Sequence, residues 1–284
     1  TFAAGFMPFC GGAEPFIQEW EDSQTTMRAS AEYDISENSM MYVSYSEGFK
    51  AGGANNGDCS APYSPETLGA SEIGFKASLA DGSATLRVAA FQYDYSDFQI
   101  MQVKNFAANY LNADDADITG IELEFTSAIG DSWLVNAGLT ILESEYGKFL
   151  QEDLSVFNGV PVQIEGNPLN NAPDTSMNIG VTYNTELGSG AKLALSLDAA
   201  YRSRVYFREF GNRLDSQDGY AIVNFNANWV SADEDYAARF FVSNLTDEAH
   251  VTGMYALQTT YGRQGTWNMP RQVGFEVTKF FGAR

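Results

Sequence analysis

Arg202, Arg204, Tyr206 and Arg208 stand at alternate positions near the middle of the second half of the chain. Alternate side chains of an extended strand point the same way. Three guanidiniums and a phenol therefore share one face, opposite Leu193, Leu195, Leu197, Ala199 and Tyr201. Arg presents a two-pronged, charge-assisted fork to carboxylates and other anions, so the chemistry this spacing suggests is capture of an anionic ligand. The plain alternative is that the arginines pair with carboxylates of the same chain, such as Asp198, Glu122 and Glu124, or with a part of the protein outside it.

Other reactive groups are sparse. Hydrolysis needs a base for a nucleophile or water, and the sole histidine, His250, follows Asn244-Leu245-Thr246-Asp247 with no clear Ser or Asp partner nearby in sequence. It reads as a loop residue. Acidic runs at Asp114, Asp115 and Asp117, at Glu152-Asp153 and at Asp233-Glu234-Asp235 lack the alternating oxygen ligands, central Gly and terminal Glu of a calcium loop. They read as solvated loop charge, and neither a metal nor a cofactor is expected.

The elements that position these residues are long strands. Very short turns at Ile35-Ser36-Glu37-Asn38, Asp81-Gly82-Ser83, Gly130-Asp131-Ser132, Gly188-Ser189-Gly190 and Ala232-Asp233-Glu234-Asp235 alternate with longer polar loops. Between them one residue parity is apolar and the other small or polar, as in Ile121-Leu123-Phe125 against Glu122-Glu124-Thr126, and Met177-Ile179-Val181-Tyr183 against Ser176-Asn178-Gly180-Thr182. The parity blurs between Leu86 and Ala90. Eleven strands are expected, starting near Phe16, Met40, Thr67, Ala84, Asp117, Ser132, Thr175, Ala191, Gly219, Tyr236 and Asn268.

Short turns on one side, long loops on the other and dyad alternation describe an all-β, antiparallel transmembrane barrel. A soluble sandwich also alternates, but its strands average about 5–6 residues, whereas these reach the roughly 9–11 that a tilted strand needs to cross a bilayer. Tyr and Phe gather toward strand ends, at Tyr42, Tyr45 and Phe49, at Phe91, Tyr93, Tyr95 and Phe98, and at Tyr201, Tyr206 and Phe207, as interfacial girdles do.

The chain is 44% hydrophobic with 26 glycines, yet holds no apolar run of the length a transmembrane helix needs. A helical membrane protein is excluded. The net charge of -21, from 16 basic and 37 acidic residues, excludes a nucleic-acid partner, whose phosphates require a basic face.

The chain opens at Thr1 with no basic or apolar leader, and an odd strand number leaves two edges that lipid does not tolerate. The expectation is an internal-to-C-terminal piece of a larger barrel. With the short turns periplasmic, Cys10 and Cys59 fall in loops on the same outer side, where an oxidising compartment favours a disulfide closing a loop of about 50 residues. Two unpaired thiols remain the alternative.

A set of motifs then resembles a known family. Tyr42-Val43-Ser44-Tyr45-Ser46-Glu47-Gly48-Phe49-Lys50-Ala51-Gly52-Gly53 is similar to its strand ending, and Pro65-Glu66-Thr67 with Glu72-Ile73-Gly74-Phe75-Lys76 follows as in its members. In order come Phe91-Gln92-Tyr93-Asp94-Tyr95-Ser96-Asp97-Phe98-Gln99, Asn112-Ala113, Gly120-Ile121-Glu122-Leu123-Glu124, Asn171-Ala172-Pro173, Asn244-Leu245-Thr246-Asp247-Glu248 and Pro270-Arg271. From about Trp20 to Phe281 the chain resembles the TonB-dependent outer-membrane receptors, in the C-terminal half of their barrel.

The resemblance implies that residues 1–284 supply about half of a 22-stranded barrel, without the plug domain or the segment that TonB grips. It implies a cell outer membrane location in a Gram-negative bacterium and TonB-ExbB-ExbD as the energising partner. It also implies uptake of a scarce small molecule, with an iron-siderophore complex the most frequent cargo. Phe275, Val277 and Phe281 resemble the ending read by the barrel-assembly machinery, although Gly282-Ala283-Arg284 follow the last aromatic, and Lys279 fits there by snorkelling to the headgroups. A passive porin or adhesin barrel is the alternative, and an outer-membrane hydrolase a more distant one.

Overall fold

Alternation this regular leaves each strand with one apolar and one polar face, and the chain folds accordingly. The computed structural model describes residues 21–55, 62–104, 107–153, 155, 160–257 and 262–281. Eleven strands form one antiparallel sheet: β1 (Arg28–Ser36), β2 (Ser39–Lys50), β3 (Glu66–Leu79), β4 (Ala84–Ser96), β7 (Asp115–Ile129), β8 (Trp133–Tyr146), β11 (Thr175–Glu186), β12 (Lys192–Arg202), β15 (Tyr220–Val230), β16 (Tyr236–Ser243) and β19 (Gln272–Lys279). They lie side by side in that order, so every neighbour in the sheet is also the next long strand in the chain.

All five short turns fall where the sequence places them. In the last, between β15 and β16, Asp233 Oδ1 accepts from Ser231 Oγ at 2.5 Å and from the Asp235 amide at 3.1 Å, while Glu234 sits at φ 58°. The Ser231 hydroxyl and the Asp235 amide hold the Asp233 carboxyl below its ordinary range. Local side-chain acceptors of this kind do the work of a turn.

Cross-strand register sorts the residues into two kinds of row. Val43, Ile73, Ala90, Ile121 and Ile141 are successive partners across β2, β3, β4, β7 and β8. One residue along runs Tyr42, Gly74, Ala89, Glu122, Thr140, Ser176, Arg202 and Tyr220. The first row is apolar and exposed, with Val43, Ile73, Ile121 and Ile141 each 50–53% accessible. The second is small or polar. The blurred parity in β4 has a cause here: Ala89 is a small residue in the polar row, beside Gly74, over which the Tyr42 ring lies. A Cβ on Gly120 would stand 2.6 Å from the Phe91 ring, so that position requires glycine.

Eight further strands, which the sequence reading does not anticipate, pair in twos outside the wall. They are β5 (Gln99–Lys104) with β6 (Ala107–Asn112), β9 (Leu150–Asp153) with β10 (Val160–Gln163), β13 (Val205–Tyr206) with β14 (Ser216–Gln217), and β17 (Val251–Leu257) with β18 (Gly262–Trp267). Each hairpin sits in a long connection, at the end of the wall opposite the short turns. Phe16, the expected start of the first strand, lies outside the described residues.

Candidate functional site

The long connections carry what this molecule has of a core. Ile100, Ala116, Tyr146, Ile164 and Leu169 are buried together, flanked by Tyr95, Phe98, Ile118, Phe149, Ala172 and Phe210. Phe98 makes edge contacts with Tyr95 and Tyr146 at centroid distances of 5.5 and 5.8 Å. The loop between β2 and β3 is tied in through Asn55, whose side chain donates to the Tyr110 carbonyl at 2.9 Å and accepts from its amide at 2.6 Å.

Beneath these loops lies a cavity of about 650 Å³. Its walls are largely apolar, with Tyr95, Phe98, Ile100, Met101, Ile118, Leu169, Phe207 and Met254, and its polar groups are few: Gln99, Gln102, Gln151, Glu152, Asn170, Arg208 and Glu209 among them. Gln102 Nε2 donates to Gln151 Oε1 at 3.0 Å, and Gln151 Nε2 donates to Glu209 Oε1 at 2.8 Å. One polar relay thus joins three different loops across the cavity. Mostly apolar walls with a few placed polar groups are what a small-molecule site requires.

An ion network fastens the same loops. Asp215, 0% exposed, accepts from Arg208 Nη1 at 2.9 Å and from Arg263 Nε at 2.5 Å. Arg208 Nη2 also reaches Asp153 Oδ1 at 2.8 Å, and its guanidinium lies 4.6 Å from the Phe210 ring centre. Asp215 is set in a 3₁₀ turn, Arg213–Asp215, capped by Asn212 Oδ1 accepting from the Leu214 amide at 2.9 Å. Burial pushes the Asp153 carboxyl up, but Arg208 and Ser155 outweigh it and hold that carboxyl below its usual range. Two arginines and two aspartates make the group neutral.

The four residues singled out by spacing do not form one site, although the Arg204 and Tyr206 side chains bond each other. β12 ends at Arg202, the Ser203 amide bonds the Thr175 carbonyl at 2.9 Å, and the chain folds into the β13–β14 hairpin with Val205 buried. The parity expected to run on to Arg208 therefore stops at Arg202. Arg204 pairs with Asp218, whose carboxyl it holds low. Tyr206 lies in β13, and its carbonyl accepts from the Asn171 amide at 2.9 Å. Arg208 reaches the large cavity, whereas Arg202 lines a smaller one. The carboxylates that pair with Arg204 and Arg208 are Asp218, Asp153 and Asp215; of the expected partners, Glu124 is bonded to Arg87 at 3.2 Å.

His250 is more than a loop residue. It is buried, and its ring stacks on Tyr220 at 3.8 Å. Among the described residues no group of acidic, His or Cys side chains has the arrangement to hold a metal ion. Cys10 and Cys59 lie outside the described residues. Phe275, Val277 and Phe281 are all exposed on the outward side of the last strand and just after it, and Lys279 reaches over the Tyr236 and Phe281 rings at 5.1 and 5.2 Å. Sequence reasoning missed Gln102, Gln151, Glu209 and Asp215; apolar residues interleaved with glutamines inside a supposedly polar loop, as in Gln99-Ile100-Met101-Gln102, are the signal that was there to be used.

A family model described as "TonB dependent receptor-like, beta-barrel" matches residues 11–245. The probable TonB-dependent siderophore receptor PiuA of Acinetobacter baumannii is 26% identical over 249 residues, covering 81% of this chain and 31% of that protein. The pesticin receptor of Yersinia pestis is 27% identical over 267 residues, covering 90% and 36%. The chain spans about a third of the length of these relatives. Among solved structures, the ferric yersiniabactin uptake receptor FyuA from Yersinia pestis superposes with a TM-score of 0.78 at 23% identity, covering 94% of this chain and 39% of that one. PiuA superposes with a TM-score of 0.72 at 22% identity, covering 89% and 35%. These two superpositions establish the shared fold.

Proposed function

The chain belongs to the TonB-dependent receptor-like β-barrel family, and we propose that it forms one wall of an outer-membrane receptor that takes up a ferric siderophore. The observation that carries this reading is the cavity lined by residues of four loop hairpins and by the ends of β4, β7 and β8 in a lipid-facing sheet. Relatives named as siderophore and pesticin receptors agree with it. The family's work is transport, and no covalent step belongs to it.

In this reading the ligand enters from the long-loop side and rests against the apolar walls, with the Gln102–Gln151–Glu209 relay and Arg208 setting its orientation. The Arg208 guanidinium is already shared between two carboxylates, so it supplies direction more than charge. Arg204 and Tyr206 shape the hairpin, and Arg202 serves a separate pocket. Strands outside the described residues close the wall, since among these β1 and β19 each have a single partner and lipid tolerates no open edge. TonB-ExbB-ExbD energises release through a plug supplied by the rest of the receptor. The barrel-assembly machinery reads Phe275, Val277 and Phe281, and Cys10 and Cys59 form a disulfide on the outer side.

The test is growth of an iron-starved, receptor-deleted strain on a panel of ferric siderophores, with the full-length receptor supplied on a plasmid. Gln151→Leu is expected to abolish growth on the cognate chelate while the barrel still assembles. Growth equal to that of the unaltered receptor on every chelate it uses removes the cavity from the pathway. Alkylation of both thiols under non-reducing conditions ends the disulfide.

A further inference from the structure

A second pocket, of about 320 Å³, lies on the polar face of the wall where β12 and β15 meet the loops. It is distinct from the larger cavity: of its lining residues only Phe207 is shared. Arg202 and Tyr220 are cross-strand partners in the polar row, and Ala200 and Ile222 are partners two residues along on the same face. His250 closes the pocket from the loop side, its ring parallel to that of Tyr220 within 14°.

One buried atom of this pocket lacks a partner among the described residues, and one exposed cation lacks a counterion there. The Nδ1 atom of His250 is buried and has no hydrogen-bond partner among the described residues, although its residue is only 7% exposed. Leaving such a group unsatisfied is destabilising, and buried polar atoms in native proteins are almost always paired. Arg202, exposed at the end of β12, makes no ion pair among the described residues, whereas Arg204, Arg208, Arg213 and Arg263 nearby all do. The rest of the lining is apolar where it matters for shape: Val205, Phe207, Ile222 and Val251 give it flat hydrocarbon walls.

We propose that this pocket binds a small organic carboxylate with a flat apolar body, its carboxylate held by the Arg202 guanidinium and the His250 Nδ1–H, its body against Phe207 and Ile222. The donors match the acceptor: a guanidinium and a ring N–H together satisfy two carboxylate oxygens. Burial pushes the His250 imidazole below its ordinary pKa, outweighing the opposing charge of Glu248, with Arg202 adding to the downward shift. The ring is then neutral at pH 7, with one N–H to donate. Asn171 and Thr252 complete the rim, the latter with its hydroxyl already donated to the Thr266 carbonyl at 3.0 Å. This site is independent of which chelate the receptor transports.

The test uses 4-fluorobenzoate as probe and the full-length receptor in detergent, with fluorine NMR reading bound against free probe. The uncharged 4-fluorobenzamide serves as the control for partition into micelles. Unboiled electrophoretic mobility confirms that each variant has a folded barrel. Broadening of the benzoate signal that exceeds the benzamide signal is expected for the unaltered receptor. Arg202→Gln and His250→Phe are each expected to weaken it about tenfold or more, as removal of one charge-assisted or buried bond does. Gln151→Leu, in the other cavity, leaves it unchanged. Equal broadening by both probes, no broadening by either, or undiminished benzoate binding in folded Arg202→Gln overturns the proposal.

Discussion

The sheet and the loops above it treat apolar residues in opposite ways. In the wall, Val273, Phe275 and Val277 are 62–69% exposed, and row after row of Ile, Leu and Val points away from the protein. In the loop canopy Ile100, Ile164 and Leu169 are buried, packed with Tyr146 at the end of β8, and even an Asp is withdrawn completely from solvent. The canopy is folded by the ordinary hydrophobic effect in water. The wall is held by its hydrogen-bond ladder and by lipid acting as the apolar partner its outward face lacks. One chain thus carries two kinds of stability, and substitutions should separate them.

The largest effect is expected at Asp215. Asp215→Ala leaves the Arg208 and Arg263 guanidiniums without their shared carboxylate, and breaking a buried ion group from one side costs about 3–5 kcal/mol. Hydrogen exchange should show the β9–β10, β13–β14 and β17–β18 loops opening while the amides of β7 and β8 stay protected. Loss of protection throughout the sheet would mean that the two regions do not fold separately.

Next comes Ile121→Arg, in the middle of the outward row. A cation near the bilayer midplane of a barrel costs about 2–4 kcal/mol, and refolding into vesicles should report it, with the loops unaffected once the barrel has formed. The same change at Glu122, one residue along and on the polar face, should cost far less. Equal penalties at the two positions would remove the assignment of faces.

Acid should then loosen the canopy in two steps. His250 has a lowered pKa when folded, so below about 6.5 the unfolded state takes up a proton that the folded state resists, and stability falls. Asp153 is also held low, so its contribution is present above about 3.9 and is lost only as the pH falls below that. Exchange at the start of β17 should therefore rise from about pH 6.5 downward, and exchange in β9 only below about pH 4. His250→Gln should abolish the first step alone. The smallest effect is expected at Lys192, whose bond to Glu234 at 2.9 Å ties the exposed start of β12 to the turn between β15 and β16. Lys192→Ala should leave refolding unchanged, since exposed pairs of this kind contribute little.

The same contrast explains what could be read in advance. Ten of the wall strands start within four residues of expectation, because a strand of eight to fifteen residues repeats its pattern often enough to be seen; the first does not, since residues 21–27 are not strand and β1 begins at Arg28, well beyond Phe16. Asn244, within one of the motifs that carry the resemblance, has a local role: it takes φ 53°, and its side chain bonds both the amide and the carbonyl of Glu248 at 2.8 Å. The last strand starts at Gln272, beyond the expected Asn268, because Asn268 and Arg271 are bonded into the preceding loop, to Glu248 and Asp247. The four loop hairpins were not legible. Their strands run only two to seven residues, too few to show a period. Nor could Arg208 be matched to Asp153, 55 residues away, or Arg263 to Asp215, since long-range pairing leaves no local pattern. The arginine series was misread for a related reason: nothing in Ser203-Arg204-Val205 announces that the strand has ended.

The central claim, that alternate residues of the wall face lipid and the polar residues between them line the lumen beneath the canopy, is tested most directly along β7. Spin labels placed singly at residues 120–125 of the full-length receptor in lipid bilayers would be read for collision with dissolved oxygen. The account predicts high accessibility at Ile121, Leu123 and Phe125 and low accessibility at Gly120, Glu122 and Glu124. A flat profile, or one with the opposite phase, would contradict it.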